Sequence, residues 1–222
     1  LQMTGSAAAV AGLYIIRPIA VLLTNTWSGS VIDRVNKRKL MIFVDIARGA
    51  LVFLIPFIDS LWAIYGLLLL INIIGAFFGP ASFIYITKLI PAEKRQKFNS
   101  WMSMMSSGAF LLGPAISGAI IMFAGTDVCI FINAVTFIIC AFFIYLLPDI
   151  DEGTEKEMEP IRFQTLMRDW VLVKEFMKGA PFLLMVYCLF QAAMLIGFAL
   201  DSQEVTFIKN TLNLSDRDYG LI

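Results

Sequence analysis

The sequence predicts an all-α polytopic membrane protein, and three observations carry that prediction. Of the 222 residues, 59% are apolar and 15% charged, against about 45–50% and about 25% in an average soluble domain. The apolar residues gather in six blocks, each long enough to cross ~30 Å of hydrocarbon at ~1.5 Å per helical residue. Stretches such as LLLLINIIGAFFG (67–79) lack the polar stripe that a core helix of a soluble protein carries. The same composition excludes other classes. The chain is too apolar to be disordered, and 17 basic against 17 acidic residues give no bulk charge for a nucleic-acid partner. With no His, neither a His-based triad nor a His zinc site can form. Cys129, Cys140 and Cys188 lie inside apolar runs without metal-ligand spacing and read as small hydrophobes. No metal or cofactor is expected.

The blocks follow in order. The first spans Ala7 to Gly29, interrupted by Arg17. The second spans Leu40 to Ile58 and carries Asp45 and Arg48. The third spans Leu61 to Ile86, the fourth Phe98 to Ala124, the fifth Val128 to Leu147, and the sixth Pro181 to Leu200 or on to Ile208. Asp59-Ser60 and Gly125-Thr126-Asp127 are links so short that the helices they join must be antiparallel neighbours. The remaining connections are charged. Residues 33–39 and 88–97 each hold four Lys or Arg, and 148–180 holds five with eight acids, whereas the two short turns hold no Lys or Arg. The positive-inside rule then puts 33–39, 88–97 and 148–180 in the cytoplasm of a multi-pass plasma-membrane protein. The first visible helix runs inward, and 209–222 lies outside. The chain opens on Leu with an inward helix, and LSDRDYGLI at its end reads as the start of another apolar block. A fragment truncated at both ends is therefore expected.

Segment 148–180 has two characters. PDIDEGTEKEMEP reads as a solvated acidic linker. IRFQTLMRDWVLVKEFMKG places Phe163, Leu166, Met167, Trp170, Val171, Val173 and Phe176 near helical spacing, with Arg168, Lys174 and Lys178 between them. It reads as an amphipathic helix at the inner membrane surface.

The sharpest motif is GSVIDRVNKRKL, 29–40. A carboxylate at the membrane edge needs a helix N-terminus or a cation, and the basic residues suit anionic headgroups. A plain positive-inside loop would explain the charge but not the order of residues. That order resembles the signature loop between the second and third helices of major facilitator superfamily transporters, Gly-x-Leu-Ala-Asp-Arg-x-Gly-Arg-Arg/Lys. Gly29, Asp33, Arg34 and Arg38 match it. Val31, Ile32, Asn36 and Lys37 depart from it, Lys37 keeping charge without bidentate geometry. In that family the loop is a gating latch. The resemblance makes Asp33 the latch acid, which caps a helix of the second half, and makes Glu93 a possible partner of Lys37 or Arg38.

In SGAFLLGPAISGAI, 107–120, mid-helix Gly113-Pro114 predicts a kink. Gly108, Gly113, Ser117 and Gly118 offer a small face for helix contact. At this ordinal helix the motif resembles the fifth-helix motif of antiporters, which limits leakage between access states. Gly75 and Gly79, spaced GxxxG, read as a contact face without chemistry. The Arg near the start of this helix in proton-coupled drug exporters is absent. The sixth block and the residues after it resemble the seventh helix and following turn of multidrug, macrolide or enterobactin exporters.

Ionisable groups inside spans are functional candidates. Arg17 could bind an anionic substrate group or pair with a structural acid. Asp45 and Arg48, three apart, read as a local ion pair. Asn72 and Gln191 could bond across helices or meet substrate. Asp201 and Glu204 share a face near the outer boundary and could carry protons, or simply be solvated.

The resemblance implies a two-bundle fold with 1–147 as the first bundle lacking its first helix, 148–180 as cytoplasmic linker, and 181–222 opening the second bundle. It implies no enzyme but a secondary active exporter of a small amphipathic molecule, driven by a proton or cation gradient. Its partners are the substrate, the coupling ion, the lipid bilayer and the missing half of the same chain. An uptake permease of the same family, or a non-transporting receptor or scaffold, is the alternative.

Overall fold

The computed structural model describes residues 7–151 and 163–210. It divides the chain into two compact units, Leu1–Ile161 and Arg162–Ile222. Within the described residues the structure is helical throughout and has no strand. Residues 152–162 of the acidic linker and the segment 211–222 lie outside the described residues, as do the side chains of Asp201 and Glu204.

In the first unit α1 (Ala7–Asp33) and α2 (Lys37–Leu54, extended by a 3₁₀ turn Ile55–Phe57) follow the first two blocks. The third block is broken into α3 (Leu61–Gly75) and α4 (Phe78–Leu89). The cause is local: Pro80 has no N–H to donate to the Ala76 carbonyl. The helical bonding instead resumes with the Ala81 N–H donating to the Phe77 carbonyl at 3.2 Å. Helix α5 (Ala92–Ala124) runs through Pro114 as one helix, and α6 (Thr126–Leu146) follows it. Gly125 alone separates them, at φ +87°, a left-handed conformation that glycine adopts without a Cβ penalty. The basic stretch 88–97 is less a loop than two helix ends joined at Ile90-Pro91. Arg95 closes this joint by donating to the carbonyls of Thr87 (2.7 Å) and Ile90 (3.1 Å), a favourable place for a cation at a helix C-terminus.

Among the described residues four stretches are long and apolar enough to cross a membrane: Lys37–Phe57, Leu61–Leu89, Ala92–Ala124 and Thr126–Leu146. In the second unit α7 (Phe163–Gly179) and α8 (Pro181–Asn210) meet at Ala180 with a bend of 103°, and count as a fifth span if taken together.

The seam between α2 and α6 organises the first unit, with α3 and α4 also against α2, α1 against α3, and α5 against α6. In lipid, close packing rather than apolar burial holds helices together, so small residues set the approach. Gly49 does this on α2: a Cβ there would meet Ile138 Cδ1 at 3.0 Å and the Ala134 carbonyl at 3.1 Å. Ile32, Met41, Ala81, Tyr85 and Ile144 form one buried cluster near the 33–39 end. Val52, Ile71 and Ala134 form another at the far end.

Candidate functional site

The loop joining α1 to α2 is where the sequence pointed first, and the structure builds it into a clasp. Asn36 caps α2, its Oδ1 accepting from Lys39 N at 3.0 Å. Its Nδ2 donates to both Asp149 oxygens, at 2.8 and 3.1 Å. Asp151, only 1% exposed, accepts at Oδ2 from the Lys37 backbone N–H (3.1 Å) and faces Lys37 Nζ at 3.7 Å. Its Oδ1 accepts from Lys88 Nζ of α4 at 2.8 Å. The carboxylate thus lies at the N-terminus of α2, where the helix dipole adds to the attraction. Burial alone would raise the Asp151 carboxyl; hydrogen bonds and charge from Lys88 and Lys37 outweigh it and hold the group below its ordinary value of 3.8.

Arg38 completes the clasp. It reaches across to the end of α6, donating to the carbonyls of Ile144 (3.4 Å) and Tyr145. It also pairs with Asp149 at 3.8 Å and lies over the Tyr145 ring. Tyr85 of α4 donates its hydroxyl to the Pro148 carbonyl at 2.6 Å. Four chain segments therefore converge: 36–39, the end of α4, the end of α6, and 148–151.

Two expectations change here. Glu93, expected opposite Lys37 or Arg38, is exposed in the first turn of α5, and the acids that meet those cations are Asp151 and Asp149. The start of the acidic linker is not solvated: 148–151 is pinned to the first unit by charge-assisted hydrogen bonds, which outweigh the solvation of the two carboxylates. The signal that could have found this is Pro-Asp-x-Asp directly after an apolar block whose end faces a basic loop.

The other motif residues are placed as follows. Asp33 ends α1 and is exposed, its carbonyl accepting from Lys37 Nζ at 3.4 Å. Arg34 turns back to the Ser30 carbonyl at 2.6 Å. Gly29 is also exposed, with open space where a Cβ would stand. Gly108, Gly113 and Gly118 likewise have open space, and Pro114 is exposed.

Inside the spans Arg17 is exposed on α1, and Gln191 is exposed on α8. Asn72 spends its donor on the Leu68 carbonyl of its own helix, at 2.7 Å. Asp201 and Glu204 lie on α8 by backbone. Asp45 and Arg48 do not form the contact ion pair expected of their spacing. Asp45 is 2% exposed, and its Oδ2 has no hydrogen-bond partner among the described residues. The Arg48 guanidinium instead sits 4.3 Å from the centroid of the Phe137 ring, where the ring face attracts the cation. Gly75 makes room for it: a Cβ there would stand 3.1 Å from Arg48 Nε. The glycine read as a helix contact is a seat for a charged side chain.

The Major Facilitator Superfamily profile matches residues 2–221. Among curated proteins, the chain is 25% identical over 195 residues to YfiS, an MFS-type transporter of Bacillus subtilis, covering 86% of this chain and 46% of YfiS. It is 26% identical over 143 residues to BacE of the same organism, named provisionally for bacilysin export, covering 60% and 34%. It is 25% identical over 149 residues to the multidrug resistance protein MdtH of Salmonella typhimurium, covering 63% and 37%. The chain spans less than half the length of each of these relatives. No solved structure matches the chain significantly.

Proposed function

The chain belongs to the Major Facilitator Superfamily, and from that premise we propose that it forms part of a secondary active exporter of a small amphipathic molecule. The observation that carries this reading is the clasp of 36–39 with Lys88, Asp149 and Asp151. Alternating access requires one end of a bundle to be held shut in one state and released in the other. A clasp of charge-assisted hydrogen bonds suits that task. It is strong when assembled, yet Lys88, half exposed at its side chain, and Asp33, exposed beside it, can trade protein partners for water or for a capped helix. The basic character of this end supports placing it in the cytoplasm of a plasma-membrane protein, so the clasp is an inner gate.

Export is favoured over uptake by the Gly108, Gly113, Pro114 and Gly118 pattern on α5, whose open face is available to the other half of the transporter. The names of BacE and MdtH point the same way. A proton or cation gradient supplies the drive.

The test is steady-state ethidium accumulation in cells with and without the full-length protein. Lower accumulation, restored by a protonophore, supports the reading. Raised accumulation makes the protein an uptake permease. Unchanged accumulation across ethidium and a panel of other amphipathic dyes overturns transport of this substrate class.

A further inference from the structure

The second unit holds a helix that neither the clasp nor export requires. Helix α7 carries Arg168, Asp169, Lys174, Glu175 and Lys178, too many charges for a segment that crosses a membrane by itself. The sequence stops it where it stops. Ala180 precedes Pro181, and the residue before a proline is disfavoured in the α region. Pro181 then opens α8, at the position where a missing N–H costs nothing. The Ala180 N–H closes back on the Met177 carbonyl at 3.3 Å, and the Ala180 carbonyl accepts from the Leu184 N–H at 3.1 Å. The two helices therefore meet at an elbow of 103° with a single residue between them.

Helix α8 has no charged residue from Pro181 to Leu200. With α8 across the bilayer, the elbow lays α7 close to the membrane plane. The register of α7 matches that posture. Phe163, Leu166, Met167, Trp170, Val173 and Met177 are related by steps of three and four residues, which is one stripe of a helix. Lys174 and Lys178, one turn apart, run along a flank of the stripe, and Leu172 and Glu175 lie on the opposite face. Met167, Trp170 and Val173 are exposed, and within its unit α7 packs against α8.

Two covers suit an apolar stripe, a partner helix and a lipid surface. A coiled-coil partner needs the pattern over at least three heptads, and α7 holds about two. The lipid surface has three features in its favour. Helix α7 is joined without slack to the apolar α8. Trp170 suits the depth of the headgroups. Lysines beside an apolar stripe keep their stems in the acyl boundary and reach anionic phosphates with their tips. We propose that α7 docks on an anionic lipid surface, stripe down, with Lys174 and Lys178 on the phosphates. Apolar burial and charge attraction add in such binding. The docked helix fixes the direction in which α8 enters the bilayer. The inference holds whatever the substrate and whichever way it moves.

The test uses the full-length protein with Cys129, Cys140 and Cys188 replaced by Ala, in bilayers of equal parts phosphatidylglycerol and phosphatidylcholine. Among the three, Cys140 and Cys188 are exposed and Cys129 is partly so, so alanine is tolerated at each. Spin labels are placed singly through Met167→Cys, Leu172→Cys, Val173→Cys and Glu175→Cys. Labels at 167 and 173 are expected to meet oxygen and be shielded from a water-soluble nickel complex. Labels at 172 and 175 are expected to show the reverse, although Leu172 is itself apolar. Stripe labels shielded from both reagents mean a protein cover and overturn the proposal. Nickel access at all four overturns it too, as does a depth that grows steadily from 167 to 175, which makes α7 part of a span.

A second arm reads the lipid class. A fluorophore at Val173→Cys is quenched by brominated phosphatidylglycerol or by brominated phosphatidylcholine in otherwise identical bilayers. A lysine at the surface favours anionic lipid by roughly fivefold, so the anionic lipid is expected to quench several-fold more strongly. Lys174→Gln with Lys178→Gln is expected to remove that difference and keep the oxygen pattern. Both lysines are exposed, so the pair can be replaced without loss of folding. Equal quenching by the two lipids before the lysines are replaced overturns the anionic surface as the occupant.

Discussion

Replacing Asp151 by Asn tests the clasp most directly. The substitution keeps the shape and an acceptor for the Lys37 N–H, and removes the charge shared by Lys37 and Lys88. Lys37 Nζ stands 3.7 Å from Oδ2, where two unit charges attract by about 4–5 kcal/mol at an effective dielectric of about 20. Lys37 is itself 4% exposed, so its ammonium is stranded without a countercharge. Breaking a buried pair in this way costs about 3–5 kcal/mol. Lys88 is half exposed and recovers water, which places the net cost near the lower end, about 3 kcal/mol. That corresponds to roughly a hundredfold increase in the open population of the clasp, at about 1.4 kcal/mol per decade.

Trypsin reads this population in everted membrane vesicles, because cleavage at Lys37, Arg38 and Lys39 requires the segment to leave its capped helix. When opening is fast relative to cleavage, the rate tracks the open fraction. The expected result is cleavage about a hundredfold faster in Asp151→Asn. A second substitution, Lys37→Met, is expected to restore much of the protection by removing the stranded charge. Equal cleavage of wild type and Asp151→Asn, or a double variant as labile as the sum of the singles, would refute the reasoning.

Three further outcomes are expected. Because the Asp151 carboxyl is held below its ordinary 3.8, the stability it confers is fully present above that value and is lost as pH falls through the lower folded value. Amide exchange at 36–39, corrected for intrinsic rate, should therefore be flat from neutral pH down to the ordinary carboxylate range and rise only below it. A rise at mildly acidic pH would contradict the assignment. Tyr85→Phe removes the 2.6 Å bond to the Pro148 carbonyl and should open the clasp by about 1 kcal/mol, measured as roughly fivefold faster cleavage. Gly49→Leu forces a side chain into the α2–α6 seam, where even a Cβ would meet Ile138 Cδ1 at 3.0 Å. Overpacking costs about 1–3 kcal/mol, and a thermal midpoint in detergent equal to that of wild type would show that the seam does not run through Gly49.

The helices were legible because runs of some twenty apolar residues have one stable use in lipid, a span whose backbone bonds are all internal. The break between α3 and α4 was half legible, since Pro80 stood in the third block but its effect on Ala76 depends on where the helix restarts. The basic half of the clasp could be read from Gly29 to Arg38, a local pattern. Its acidic half could not: Asn36 meets Asp149 across 113 residues of sequence, and only the antiparallel return of α6 brings them together. Glu93 was a possible partner implied by the family resemblance, and the stretch that carries it proved to be two helix ends. Gly75 shows a different limit, because the small-residue pattern that marks a helix contact also marks a seat for a guanidinium.

The pinning of 148–151 also changes how force travels along the chain. The fastened part of the first unit does not stop where α6 stops but runs on to Asp151, whose carboxylate is bonded to the start of α2. Tension drawn along the chain from residue 152 onward reaches that fastening before it reaches α6. Releasing the bonds at Pro148, Asp149 and Asp151 together frees four residues, ~13 Å of chain at ~3.3 Å per extended residue. The clasp therefore lies in series with α6 along the chain, and the same bonds that gather its four segments fix where the fastened part of the chain stops.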